Sequence, residues 1–173
     1  MKKMIGIFLL ASMLLPMGCA IKQAQNPQEF RQIAPTISYG EHETFNINNS
    51  YSRASKNFQM RAEKCLHKKI VQTTVNRNTG AKMGEQVLTY TPTLGVGKNR
   101  TELSVQQDVS GSGMIMGKVP EKGMFIFLAD LSPSGNQTRL DIYRLTYWST
   151  NELVTAVKNW ASGESLDCPD LTK

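Results

Sequence analysis

The sequence predicts an α+β domain over residues 43–173, with one strand, one helix, four or five further strands and a final helix. Three observations predict this order. Two segments, near 51–66 and 153–161, carry apolar residues at spacings of three and four, as an amphipathic helix does. Between them lie short β-branched or apolar segments separated by turn residues. One of these, residues 102–109, has apolar residues at alternate positions except for Gln107, as in a sheet with one solvated face. We therefore expect an antiparallel sheet with both helices packed on one face.

The first strand and the first helix follow each other closely. Residues 44–47 are apolar at alternate positions, which predicts a short strand. Asn49 or Ser50 can cap the helix that follows. Its apolar face is formed by Tyr51, Ala54, Phe58, Ala62, Cys65 and Leu66. Cys65 therefore lies near the C-terminal end of this helix.

The remaining strands are marked by composition. Residues 70–75 are β-branched and end at the turn signal 76–80, and residues 86–91 end at Pro92. Residues 124–131 are almost wholly apolar, which predicts a strand in the middle of the sheet. Residues 138–147 form the last strand. The glycine-rich stretches 93–98 and 110–123 are expected to be long hairpin loops, which often carry binding contacts.

The final helix has the clearest boundaries. Ser149 and Glu152 have the spacing of a capping box. The helical face consists of Leu153, Val154, Val157, Trp160 and Ala161, and Gly163 is expected to end the helix. Cys168 follows five residues later.

Cys65 and Cys168 are expected to form a disulfide that joins the end of the first helix to the chain after the last. Apart from Cys19 they are the only cysteines, and an even number is typical of an oxidising compartment. The alternative is two unrelated buried thiols.

The element order resembles the helix-grip domains of small proteobacterial outer-membrane lipoproteins, such as the C component of the β-barrel assembly machinery. The stretches 160–163 (Trp-Ala-Ser-Gly) and 168–171 (Cys-Pro-Asp-Leu) resemble the C-terminal tails of uncharacterised proteins of this group. The resemblance covers about 130 residues and includes no specific motif. Because one fold serves many functions, it implies an architecture and no particular activity.

The N-terminus has the composition of a secretory signal peptide, which we assign to residues 1–18. Lys2 and Lys3 precede the apolar run 5–15. That run is shorter than the roughly 20 residues that a membrane-spanning helix needs.

The signal ends in Leu15-Pro16-Met17-Gly18-Cys19-Ala20, which resembles the lipobox of bacterial lipoprotein precursors. The resemblance implies a diacylglycerol thioether on Cys19, cleavage before it and acylation of the new amino terminus. Ala20, in place of an aspartate, is similar to the pattern of lipoproteins sorted to the outer membrane. The sequence departs from the pattern at Pro16, where an aliphatic residue is usual. Cleavage after Ala20, giving a soluble periplasmic protein, is the alternative.

Residues 19–42 are rich in glutamine and contain Pro27 and Pro35, without sustained apolar periodicity. We expect them to form a flexible tether between the lipid and the domain.

Charge and motif content argue against several classes of protein. Without Lys2 and Lys3 the chain has 18 basic and 14 acidic residues, a net charge of +4 that is not gathered into a basic stripe. We therefore expect no nucleic-acid partner. His42 and His67 lack the paired spacing of zinc ligands, and the glycine-lysine stretches lack the Walker spacing. We expect no metal and no cofactor.

Few residues are candidates for catalysis. Cys65 and His67 could form a thiol–imidazole pair, but residues two apart on a helix point in different directions. Four charged residues of the last strands are expected to form cross-strand ion pairs in preference to an acid/base couple: Asp130, Arg139, Asp141 and Arg144. An aromatic group is expected to pack beside the last helix, or alternatively to form a recognition surface: Tyr143, Tyr147 and Trp148.

We therefore predict a non-enzymatic lipoprotein, anchored to the bacterial outer membrane through Cys19 and facing the periplasm. It would act as a binding or scaffold module for an envelope protein. The alternative is a periplasmic carrier that holds a lipid or other small ligand in an apolar pocket between helices and sheet.

Overall fold

The computed structural model describes residues 23–110, 119–146 and 150–172. Three helices are present: α1 (Pro27–Ile33), α2 (Tyr51–Leu66) and α3 (Asn151–Ser162). A 3-10 turn, Ala34–Thr36, follows α1. The six strands are β1 (Gly40–Ile47), β2 (Lys68–Val75), β3 (Lys82–Val96), β4 (Thr101–Ser110), β5 (Met124–Ser134) and β6 (Gln137–Leu145).

The six strands form one antiparallel sheet in the order β1-β6-β5-β4-β3-β2. Each strand from β2 to β5 pairs with the next strand in sequence. Strand β1 pairs with β6 and forms the other edge of the sheet. The predicted α+β class is confirmed, with five strands between α2 and α3.

Helices α2 and α3 are joined by their apolar faces. Phe58 and Trp160 are fully buried and meet edge to face, with their ring centroids 6.3 Å apart. On the sheet, Phe45, Leu140, Leu131 and Thr101 are cross-strand partners in one row. Both helices contact this row. The hydroxyl oxygens of Ser55 in α2 and Thr101 are 2.6 Å apart. The ammonium group of Lys158 in α3 lies over the Phe45 ring.

Strand β5 is buried on both of its faces, from Phe125 to Leu131. This requires cover on the side away from Thr101, because alternate residues of a strand point to opposite faces. Helix α1 provides that cover, since its Arg31 forms an ion pair with Asp130, the residue before Leu131. Phe30 is 2% exposed and its ring centroid lies 6.1 Å from that of Phe125.

The predicted boundary between a flexible tether and a domain at residue 43 is therefore wrong. Ala24, Phe30 and Ala34 belong to the core, and β1 begins at Gly40. The sequence was misleading because Pro27 suggested a break in the chain, whereas proline is well tolerated in the first turn of a helix. Asn26 caps this helix by accepting a hydrogen bond from the Glu29 amide at 2.9 Å. Residues 19–22 lie outside the described residues.

The predicted disulfide is present between Cys65 and Cys168, 103 residues apart in sequence. It joins the last turn of α2 to the C-terminal tail. The tail is also held by the Trp160 indole, which donates to the Asp167 carbonyl at 2.9 Å, and by Leu171, which is buried. Chain ends that are fixed in this way resist fraying.

Strand β3 continues through Pro92 to Val96, so the predicted strand end at Pro92 is wrong. Lys68 and Tyr90 are the last partners of β2 and β3, and Pro92 pairs only with Val105 of β4. Proline lacks an amide hydrogen, and it fits a strand where only one neighbour needs hydrogen bonds. The predicted loop 93–98 is consequently shortened to the connection 97–100.

The start of α3 also differs in detail from the prediction. Ser149 lies outside the described residues, and the Thr150 hydroxyl donates to the Leu145 carbonyl at 3.2 Å without capping the helix. At the other end, Gly163 adopts a φ of +82° and ends the helix as predicted. Among the described helices, none is long and apolar enough to cross a membrane.

Candidate interaction surface

Strand β2 forms one edge of the sheet and hydrogen-bonds to β3 alone. Six of its eight residues are exposed. Val71 and Val75 are 55% and 52% exposed, which is unusual for apolar side chains on a strand of a sheet with a large core. The backbone groups on the outer side of β2 have no neighbouring strand in the described part of the chain. Such an edge is able to pair with another extended segment.

Beyond the main sheet, β2 and β3 continue as a two-stranded ribbon. Strand β4 reaches β3 only as far as the pair Val87 and Ser110. We call residues 72–86, which pair only with each other, the hairpin arm. A register shift next to Val75 leaves Met83 without a cross-strand partner, and Met83 is 68% exposed.

The turn of the hairpin arm is ordered by Asn76. Its backbone accepts from the Gly80 amide at 2.8 Å and donates to the Ala81 carbonyl at 2.8 Å. Its side chain accepts from the amides of Asn78 and Thr79 at 2.9 and 3.2 Å. Short polar side chains that bond to nearby amides are typical of tight turns. The arm is thus a defined structural feature.

The sequence of β2 explains why it is extended without being buried. Residues 70–75 (Ile-Val-Gln-Thr-Thr-Val) are almost all β-branched and contain no charge, glycine or proline. β-branched residues favour the extended backbone. Charged residues, proline and bulges are the usual devices that keep edge strands apart. Residues 70–75 contain no charged residue or proline, and their one irregularity is the register shift between Thr74 and Val75.

Positive charge surrounds this neutral run. Lys68 and Lys69 precede it, and Arg77 and Lys82 follow it in the arm. Glu85 is the one acidic residue between positions 68 and 86, and it pairs with Lys82 at 2.6 Å. The segment therefore has four cations and one anion, a net charge of +3.

The opposite edge of the sheet is more protected. Strand β1 contacts the turn Ala34–Thr36 and α3. Its Glu41 and Glu43 form ion pairs with Arg144 of β6. Charged side chains along an edge strand oppose pairing with a further strand. The two edges of the sheet thus differ, and β2 is the accessible one.

A group of charged residues lies on the sheet face that α1 covers. Arg31 of α1 forms ion pairs with Asp130 of β5 and Glu102 of β4, and Arg100 also pairs with both carboxylates. Burial tends to lower the pKa of Arg31, but hydrogen bonds and attraction to the two carboxylates raise it overall. These contacts attach α1 to the sheet.

Asp141 forms a second ion pair on this face. It accepts from Arg139 at 2.8 Å and from the Thr44 hydroxyl at 2.6 Å, and His42 lies 3.3 Å away. Burial tends to raise the pKa of Asp141, but these hydrogen bonds lower it overall, so the carboxylate stays ionised. The His42 ring stacks on Tyr143 with centroids 4.3 Å apart.

The charged residues of the last strands are therefore in ion pairs, but not all of these pairs are cross-strand as predicted: Arg139 and Asp141 lie two residues apart on β6. Asp130 pairs with Arg31 and Arg100 and not with Arg139 or Arg144. The sequence could not indicate these partners, since one comes from the segment interpreted as a tether. Tyr147 and Trp148 lie outside the described residues, so the predicted aromatic group is represented by Tyr143 alone.

The remaining candidates for catalysis, Cys65 and His67, do not form a thiol–imidazole pair. Cys65 is oxidised to Cys168 and cannot act as a thiol nucleophile in this state. His67 follows the end of α2 and is exposed. Within the described ranges, no three histidine, cysteine or acidic side chains form a group that could hold a metal ion.

Comparisons with known proteins give no family. No protein-family model matches the chain, and no curated protein matches it. Among solved structures, that of Ara h 8.0201 aligns with a TM-score of 0.39 and 7% identity, covering 72% of this chain and 95% of the other. The Mll3558 protein from Rhizobium loti aligns with a TM-score of 0.34 and 14% identity, covering 73% of this chain and 99% of the other. A protein from Arthrobacter aurescens aligns with a TM-score of 0.31 and 9% identity, over 83% and 92% of the respective chains.

Proposed function

We propose that this chain is a non-enzymatic lipoprotein of the bacterial envelope that binds a partner protein through β2 and the hairpin arm. The anchor would be the lipid on Cys19 that the lipobox resemblance implies. The domain would lie on the periplasmic side of the outer membrane. The observation that carries the binding role is the accessible β2 edge, with its exposed Val71 and Val75.

The position of α1 supports a role close to the membrane surface. Ala24 is already buried, so only residues 20–23 separate Cys19 from the folded domain. An extended chain spans at most about 3.6 Å per residue, which limits the Cys19–Ala24 distance to about 18 Å. The N-terminal end of the folded domain would therefore lie close to the lipid headgroups.

The binding role is tested by photo-crosslinking in cells. A photoreactive amino acid is placed at Val71 in one variant and at Val96 in another. Both valines are 55% exposed, but Val96 lies at the opposite end of β3 from the arm. We expect a specific cross-linked protein from position 71 and not from position 96. Equal cross-linking from both positions, or none from position 71, would contradict the proposal.

The anchor is tested separately by the intact mass of the protein purified from membranes. We expect the mass of residues 19–173 plus a diacylglycerol and an amide-linked acyl chain. A mass corresponding to residues 21–173 without lipid would show cleavage after Ala20 and remove the anchor from the proposal.

A further inference from the structure

We propose that the outer edge of β2 binds an extended peptide segment with acidic flanks, which joins the sheet as a seventh strand. This inference rests on the proposed function, because it specifies how the partner protein would be bound. It goes further by assigning the chemistry of the bound segment. Two properties of β2 carry it: an outer backbone edge with which no described strand pairs, and the distribution of charge around it.

The backbone edge provides the main interaction. A strand at the edge of a sheet has N–H and C=O groups that alternate outward, and an added strand satisfies them in a regular ladder. The regular run from Ile70 to Thr74, before the register shift at Val75, is long enough for a five-residue ladder and carries no proline that would interrupt it. Val71, Thr73 and Val75 alternate along one side of β2. β-branched side chains of an added strand would pack beside them as cross-strand pairs.

Charge determines the kind of segment. Lys69 immediately precedes the neutral run and Arg77 follows it in the turn, and both are exposed. A segment that is neutral and β-branched in its middle and carries Asp or Glu at both ends would match this distribution. Exposed charge pairs contribute modestly to affinity but strongly to the choice of partner and to the rate of association.

The same charges oppose pairing between two copies of this chain. Antiparallel pairing with Thr73 on the two-fold axis would place Val71 opposite the second copy's valine at position 75. It would also bring Lys69 toward the turn that carries the second copy's arginine at position 77, and bring together two segments that each carry +3. Like charges directly opposite each other destabilise a strand pair. The acidic segment is therefore the occupant that the structure favours.

The test uses the full mature chain in detergent and three synthetic peptides. The first has a Val-Thr-Val-Thr centre with two glutamates on each side. The second has lysines in place of the glutamates. The third has the first sequence with N-methyl groups on alternate central amides, which removes hydrogen-bond donors from one edge of the peptide and leaves its charge unchanged.

We expect fluorescence anisotropy to show binding of the first peptide that weakens as salt is added. The lysine peptide and the N-methylated peptide should each bind at least tenfold more weakly. Equal binding of the N-methylated peptide would refute strand addition, because charge alone would then account for affinity. Equal binding of the lysine peptide would refute the acidic preference. Sedimentation of the chain as a dimer that the first peptide cannot dissociate would assign the edge to a second copy and overturn the proposal.

A charge-reversed variant provides an independent test. Lys69→Glu with Arg77→Glu changes the net charge of residues 68–86 from +3 to −1, so the glutamate peptide should no longer bind better than the lysine peptide. Lys56→Glu is the control, since Lys56 is exposed on α2; it should leave the preference unchanged. An unchanged preference in the double variant would contradict the inference.

The outcome is separable from the proposed function. Cross-linking of a protein at Val71 in cells without peptide binding would leave the binding role intact and refute strand addition. Peptide binding without cross-linking would support strand addition and refute the cellular role.

Discussion

Replacing Cys168 by serine removes the covalent link between α2 and the C-terminal tail while leaving the sulfur of Cys65 in the core. Cys65 is fully buried, whereas Cys168 is exposed. The substitution therefore changes little packing, and its effect reports mainly on the cross-link. In the chain-entropy model, a bridge closing a loop of this length, with a sequence separation of 103, restricts the unfolded chain by up to about 4.7 kcal/mol.

Urea unfolding followed by tryptophan fluorescence measures this effect. We expect the free energy of unfolding to fall by a few kcal/mol, up to about 4.7. The dependence of that free energy on urea should increase, because the unlinked unfolded chain exposes more surface. Wild-type protein in reductant should unfold like the variant. A variant as stable as the oxidised wild type would show that the bridge does not constrain the unfolded chain, and would refute the reasoning.

Three further predictions concern the sheet and the helix that covers it. Phe30→Ala should destabilise the protein by about 3 kcal/mol in urea unfolding, as expected for a buried phenylalanine, whereas a flexible tether would show no change. Asp141→Asn should lower stability at neutral pH, since a carboxylate whose folded pKa is lowered stabilises the fold above its unfolded pKa and loses that effect as the pH falls. The difference in free energy of unfolding between Asp141→Asn and wild type should therefore shrink toward pH 3. An undiminished difference would contradict the ion-pair account. Gly123→Ala should destabilise strongly, because a Cβ there would lie 2.3 Å from the Gln107 carbonyl oxygen. Gly135→Ala is the control, because Gly135 also has a positive φ but lies in open space. It should lower the free energy of unfolding in urea by only about 1 kcal/mol.

The elements with strong periodicity were predictable from sequence. The apolar faces of α2 and α3, and the apolar run of β5, follow from the spacing of their residues. The disulfide followed from the even number of cysteines remaining after Cys19. In each case local composition and tertiary packing favour the same structure, and prediction then succeeds.

Helix α1 was missed because its seven residues are too few to show a periodic pattern. The only signal was Asn26 before Pro27 with Glu29 behind, a capping arrangement that short motifs in linkers often imitate. Its stability depends on tertiary contacts of Phe30 and Arg31. Such contacts cannot be inferred from local sequence.

The interaction surface was only partly predictable. Residues 70–75 were assigned to a strand, but sequence alone could not place that strand at the edge of the sheet. An uncharged β-branched run is equally suited to the middle of a sheet. The strand order and the exposure of Val71 distinguish these positions. Both depend on the whole topology.

Hydrogen exchange at the amides of residues 70–75 tests the central claim most directly. In the free chain, the outward-facing amides of β2 should exchange rapidly while the inward-facing ones, bonded to β3, exchange slowly. With the glutamate-flanked peptide bound, we predict that the outward amides become protected, and that the amides of β1 at the other edge do not change. Binding of the peptide without added protection at β2, or protection at β1 instead, would contradict the account.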